Sequence, residues 1–268
     1  MISLNRNQKT GVLTNASGKR VKSNYIYSPN HEKYKLSRSK FSDFLKCQRC
    51  FYLDQVGALK YPGSPGWPLN SRTDELLKNE FDRYRSLQEP HPIFLQHSLN
   101  YIPYQHEDLD KWRNSLSGGI GYSIENTNLF FYGGVDDVWQ NTDTNELIIC
   151  DYKSKSKKGL TVESFLTDPL NKDFFMQMGI YIHILKKMNF DVFPIGYFLV
   201  VNGQTNQEEF GDSMNFESLL IPYEPDISWI DDSLQEMFGL LNSTVIPPRT
   251  PHCENCAYVE EGSRLINT

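Results

Sequence analysis

No stretch of about 18 uninterrupted apolar residues occurs in this 268-residue chain, so no membrane-spanning helix is expected. The N-terminus lacks the apolar segment of a secretory signal, and an intracellular, cytoplasmic protein is expected. No internal repeat is visible, and no low-complexity tract beyond the lysine–serine run from Lys153 to Lys158. His91, His97 and His106 show no metal-ligand spacing and read as surface or packing residues. Positive charge is not in excess: the net charge of −6 excludes a uniformly basic nucleic-acid coat. Apolar and charged fractions of 39% and 22% are those of a soluble globular protein, and the length suits one substantial core.

Charge is instead polarised along the chain. Residues 1–40 carry nine Lys/Arg against Glu32, a net of +8, whereas residues 203–268 carry twelve Asp/Glu against Arg249 and Arg264, a net of −10. A basic arm on an otherwise acidic protein suits contact with a polyanion on one side, and equally suits a solvated terminus. Residues 1–35 read as that arm or as a loose hairpin, and 259–268 as a C-terminal tail.

Between these ends, periodicity and punctuation predict a helix over 37–53 capped by Ser37 or Ser39, and a proline-rich connector at 61–70. They further predict a helix over 71–86, a hairpin over 129–153, a helix over 171–188, a strand from Val192 to Val201, and a helix from Ser228 to Leu241. That order implies an α/β fold, a mixed sheet flanked by helices.

The hairpin carries the chemistry. Leu129 to Tyr132 runs into Gly133-Gly134-Val135-Asp136-Asp137, and the apolar Leu147 to Cys150 runs into Asp151-Tyr152-Lys153. Asn141 to Asn145 supplies turn formers between them, which places Asp136 and Asp151 on neighbouring strands. Side chains alternate along a strand, so Asp151 and Lys153 share a face. Two carboxylates form a site for a hard cation such as Mg²⁺ or Mn²⁺, and the adjacent ammonium can orient water or stabilise charge. That is the minimal equipment for hydrolysing a phosphodiester. The Tyr152 carbonyl could add a ligand. On helix 71–86, Leu77, Phe81 and Tyr84 follow Asp74 at helical spacing. Asp74 therefore needs a partner, either a metal or a lysine, unless it serves only as a helix-dipole acid. Gln177 and Tyr181 lie one helical turn apart, where the amide requires a hydrogen-bond partner and could hold Lys153, water or phosphate. Lys155, Lys157, Lys158 and Arg38 are candidates for contact with the substrate backbone.

Of the five cysteines, Cys150 sits in an apolar strand and reads as core. The other four form Cys47-x-x-Cys50 and Cys253-x-x-Cys256. In an intracellular chain such pairs favour a metal over disulfides, and four thiolates suit Zn²⁺ or an iron–sulfur cluster, which spacing does not separate. Either would staple the N-terminal part to the C-terminal part.

The succession Gly-x-x-Asp, Asp-Tyr-Lys and Gln-x-x-x-Tyr resembles the PD-(D/E)XK nuclease superfamily, in particular its RecB-like exonuclease branch. Leu36 to Phe41, followed by Cys47 to Leu53, is similar to that branch's N-terminal segment, so the resemblance spans about 36–258. It implies a restriction-endonuclease-like core and a metal-dependent DNA exonuclease active on free or single-stranded ends. It implies Asp136 and Asp151 as metal ligands, Lys153 as the catalytic lysine, and Gln177 and Tyr181 beside the site. Where the branch carries a helical histidine, this chain has Asp74. The resemblance also implies iron–sulfur at the cysteines, although the branch splits its four as one and three rather than two and two. The competing reading is a non-catalytic nucleic-acid-binding module stabilised by the cluster or by zinc.

Overall fold

The computed structural model describes residues 4–7, 9–62, 66–116 and 118–267. Residues 63–65 of the proline-rich connector, 1–3 and 8 of the arm, and 268 of the tail lie outside the described residues. In chain order come β1 (Tyr34–Ser37), α1 (Arg38–Lys46), α2 (Gln48–Gln55), α3 (Pro68–Leu87), α4 (Pro92–Gln96), β2 (Tyr101–Pro103), α5 (Leu109–Arg113), β3 (Ile120–Ser123) and β4 (Leu129–Gly133). They are followed by β5 (Asp137–Asn141), β6 (Leu147–Lys155), α6 (Val162–Leu166), α7 (Lys172–Lys187), β7 (Gly196–Gly203), β8 (Phe216–Tyr223), α8 (Ile230–Leu241) and α9 (Glu254–Ile266). The chain divides into two compact units: Trp67–Tyr122 with Phe131–Ile230, and Met1–Gly66 with Ser123–Phe130 and Asp231–Thr268.

The first unit is built on a five-stranded mixed sheet in the order β2-β5-β6-β7-β8. β6 and β7 run parallel and every other pair is antiparallel. The parallel step requires a crossover, which α7 supplies. All eight residues of β7 are buried, as expected of a central strand covered on both faces. On one face, Phe81 of α3 stacks on Trp139 at 5.4 Å between ring centroids and lies 5.8 Å from Tyr152. Phe94, Cys150, Tyr197 and Leu199 complete that core. On the other, Phe175 of α7 packs on Phe198 at 5.9 Å, with Phe165 5.3 Å from the same ring.

In the second unit, Phe41, Phe44 and Phe51 form the contact between α1 and α2, all nearly or fully buried. The single helix expected over 37–53 is broken at Cys47, whose extended backbone (φ −156°, ψ 101°) ends α1 and starts α2. Ser37 caps α1 as expected, its hydroxyl accepting from the Lys40 N–H. Asp54 is buried and holds both Arg20 and Lys40, the latter at 2.7 Å.

Two further differences concern strands. The expected hairpin over 129–153 is three strands rather than two: Leu129–Gly133 belongs to a separate sheet, and the hairpin proper is β5–β6. Gly134 explains the break, because a Cβ there would lie 2.8 Å from Ser115 Cβ and 3.2 Å from the Arg113 carbonyl oxygen, so the chain bends tightly against that segment. The strand expected at 192–201 runs 196–203 instead, Val192 making only an isolated bridge to Leu147. β8 and α9 had no sequence expectation. α9 continues through the predicted boundary at 258 as far as Ile266.

Candidate active site

The site forms where β6 outruns β5. Register pairs Asp137 with Cys150, and β5 begins there, so residues 151–155 of β6 have no β5 partner. A backbone N–H left unpaired at that point needs an acceptor. Asp136 provides it: its Oδ2 accepts from the Tyr152 N–H at 2.8 Å. One carboxylate is thereby fixed beside the strand that carries the other.

Asp151 is fully buried. Gln177 Nε2 donates to its Oδ1 at 2.7 Å and to the Tyr181 hydroxyl at 3.2 Å, so the i, i+4 pair on α7 orients this carboxylate. Lys153, on the same face of β6 as expected from strand alternation, ion-pairs with Asp151 Oδ2 and lies 4.8 Å from the Phe174 ring. That oxygen is buried and accepts no well-formed hydrogen bond, so the lysine is its partner among the described residues.

Asp74 of α3 also belongs to this group, but its direct partner is a lysine. Lys78, one turn on, donates to Asp74 Oδ2 at 2.7 Å and approaches Asp136 Oδ1 at 4.0 Å. Burial and the neighbouring Asp136 raise the Asp74 carboxyl above the usual range, with Lys78 opposing. Asp136 is pushed up to about 6, first by burial and then by the charge of Asp151, against Lys153 and Lys78.

These residues fit a divalent cation. The donor set is all oxygen and therefore hard. Asp151 offers a buried oxygen with no good hydrogen bond, and each of Asp136 and Asp151 raises the electrostatic cost of the other's charge. An ion of charge +2 would relieve both. The Tyr152 carbonyl points toward Lys153, whose Nζ lies 3.4 Å away. The Tyr152 side chain turns away from these carboxylates: its ring is buried in the core and its hydroxyl donates to Asp137 Oδ2 at 2.8 Å.

Asp137 is the feature that sequence reasoning missed. It is fully buried and accepts from Arg85, from Arg113 at 2.7 Å, from the Trp139 indole at 3.3 Å and from Tyr152. Asp82 bridges the same two arginines. Burial alone would lower the Arg113 pKa, but Asp137 and Asp82 raise it. The network braces the start of β5, one residue from Asp136.

Two of the candidate substrate lysines already have partners. Lys155, on the same face as Asp151 and Lys153, donates to Asn171 Oδ1 at 2.6 Å, and Lys157 to Asp168 Oδ2 at 2.9 Å. Lys158 is exposed. Arg38 opens α1 in the other unit, where its carbonyl accepts from the Ser42 hydroxyl. His91 packs as anticipated, stacked on Phe81 at 4.1 Å and bonded to Glu80 at 2.9 Å.

Within the other unit, Cys47, Cys50, Cys253 and Cys256 come together, their sulfurs all within 4.8 Å of one another. Burial would raise the Cys47 thiol, but hydrogen bonds from the Thr250 and Cys50 backbone bring it down to about 6. Burial first, and then the neighbouring sulfurs, push Cys256 up. Four thiolates this close repel one another, so ionising all of them requires a cation.

An independent comparison bears on the family of the chain. The family model of the PD-(D/E)XK nuclease superfamily matches residues 66–260, the larger part of the chain. This protein belongs to the PD-(D/E)XK nuclease superfamily. Its members hydrolyse phosphodiester bonds with divalent metals, which points to a metal-dependent nuclease and a nucleic-acid substrate. The match takes in Asp74, Asp136, Asp151, Lys153, Gln177 and Tyr181, and starts after Cys47, Cys50 and the basic arm. No curated protein sequence matches the chain. Among the described residues no helix is long and apolar enough to cross a membrane.

Proposed function

We propose that this chain is a Mg²⁺- or Mn²⁺-dependent deoxyribonuclease of the RecB-like branch, working as an exonuclease on DNA with a free or single-stranded end. One observation carries the reading: Asp136 and Asp151 converge where β6 outruns β5, with Lys153 on Asp151 and Gln177 behind it. Asp136 and Asp151 would hold the cation, with Asp74 and the Tyr152 carbonyl as further ligands. When bound, the cation lowers the pKa of water and offsets charge on phosphate.

The chain's own residues do the rest. Gln177 fixes Asp151 and, through Tyr181, ties it to α7. Lys153, beside Asp151, would use its ammonium to orient the attacking water or to neutralise charge growing on the phosphate. Lys78 would hold Asp74 in position. Lys155, Lys157 and Lys158 follow along or just beyond β6 and offer positive charge to the nucleic-acid backbone, and Arg38 is the fourth such residue.

The test is cleavage of end-labelled linear and circular DNA, single- and double-stranded, beside an RNA of the same sequence, with Mg²⁺, Mn²⁺ or EDTA. The reading expects loss of end label from linear DNA, intact circles, and no reaction in EDTA. Cut circles would make the enzyme an endonuclease. Binding without cleavage under every metal condition would favour the non-catalytic module.

A further inference from the structure

We infer that Cys47, Cys50, Cys253 and Cys256 bind one zinc ion in a closed tetrahedral site, not an iron–sulfur cluster. The sulfur spacing decides it. Cys50 Sγ lies 3.4 Å from both Cys253 Sγ and Cys256 Sγ, and Cys47 Sγ lies 3.8 Å from Cys256 Sγ. With Zn–S bonds of about 2.3 Å, a regular tetrahedron of thiolates has edges of about 3.8 Å. The observed set lies within 4.8 Å throughout and surrounds a centre of that size. An iron–sulfur cube places its own irons and sulfides between the cysteines, each of which caps a different iron. No two cysteine sulfurs could then touch, whereas here three pairs are in contact or nearly so.

The backbone around the sulfurs supports the assignment. Cys47 is the N-cap of α2 and Cys50 lies in that helix's first turn. Cys253 is the N-cap of α9 and Cys256 lies in its first turn. Each Cys-x-x-Cys pair therefore wraps one helix N-terminus, and both helices point their positive ends at a centre with four negative ligands. The Cys47 sulfur takes hydrogen bonds from the Cys50 and Thr250 backbone, the kind of outer contact that orients metal thiolates. Four protein ligands leave no open position, which marks a structural rather than a catalytic ion. Between zinc and a lone ferrous ion, the same thiolate set binds zinc more tightly.

The ion would fasten α2 to α9, more than 200 residues apart in sequence, within one unit. Its assignment is independent of the nuclease reading, and so is its test. Full-length protein is purified anaerobically and analysed for zinc, iron and acid-labile sulfide. The expected result is one zinc per chain, no sulfide and a colourless solution. Replacing zinc by Co²⁺ should give the intense visible bands of a tetrahedral thiolate site, and Cys150→Ser should keep its zinc, since that cysteine lies in the other unit. Iron in any form, with or without sulfide, would overturn the assignment. So would a metal-free folded protein with four freely titrating thiols, or loss of zinc in Cys150→Ser.

Discussion

A buried carboxylate with an incompletely satisfied oxygen is costly unless a cation stands by it, and Asp151 has that form. Here the role falls to Lys153, while Lys78 serves Asp74 and reaches toward Asp136. Two lysines thus stand in for the charge that a divalent ion would bring. The proton competes for the same site. Asp136 titrates near 6 rather than 3.8, so between those values the folded protein holds a proton that the unfolded chain has lost. Stability from this group is therefore full below about pH 4 and is lost as the pH rises through about 6. Metal-free protein in EDTA should accordingly melt lower at pH 7 than at pH 5 on this account. Mn²⁺ should raise the melting temperature more at pH 7, and Asp136→Asn should remove the difference. Equal Mn²⁺ stabilisation at both pH values would contradict this. Strand alternation put Asp151 and Lys153 on one face and helical spacing put Gln177 beside Tyr181, while the resemblance supplied the link from Asp136 and the α7 pair to them. Lys78 was not legible in the sequence, since a lysine four residues after an acid reads as an ordinary surface pair. The Tyr152 side chain turns into the core because it alternates with Asp151.

At the scale of the element, the site depends on where β5 starts. The Asp136-Asp137 doublet straddles that point: Asp136 takes the N–H that β5 leaves unpaired, and Asp137 turns inward to two arginines. The sequence offers no way to tell which acid faces in, because that follows from register with β6, and register needs the structure. Arg85 and Arg113 were equally hidden, one on an apolar helix face and one in a loop-rich stretch. Removing one partner from a buried charge network strands the others, at about 3–5 kcal/mol. Asp137→Ala should lose stability of that order in urea unfolding, and it should also lower cleavage by loosening Asp136. A loss below about 1 kcal/mol, within the range of exposed pairs, would show the network to be dispensable. The long apolar strands and helices were read well from periodicity. The break at Cys47 was not, because helix propensity runs through it, whereas the backbone there is extended.

Taken whole, the molecule joins a basic arm to a net acidic chain, and the arm is only partly free. Arg20 is tied to buried Asp54 and the Arg6 guanidinium to the Gly11 carbonyl, so deleting the arm would also disturb the fold. Lys9, Lys19 and Lys22 are the better probes. If they contact DNA phosphates, replacing all three with alanine should make the slope of log affinity against log salt shallower by up to about 0.9 per lost contact, with cleavage at saturating DNA preserved. An unchanged slope would mark the arm as a solvated tail. The central claim is narrower: the convergence of Asp136, Asp151 and Lys153 is a hydrolytic site. Single-turnover cleavage of end-labelled linear DNA with Mg²⁺, comparing the wild type with Asp151→Asn and Lys153→Ala at saturating protein, tests it most directly. Both variants should keep DNA binding and a cooperative melt, and each should cleave at least about 100-fold more slowly. Wild-type rates in both would contradict the account.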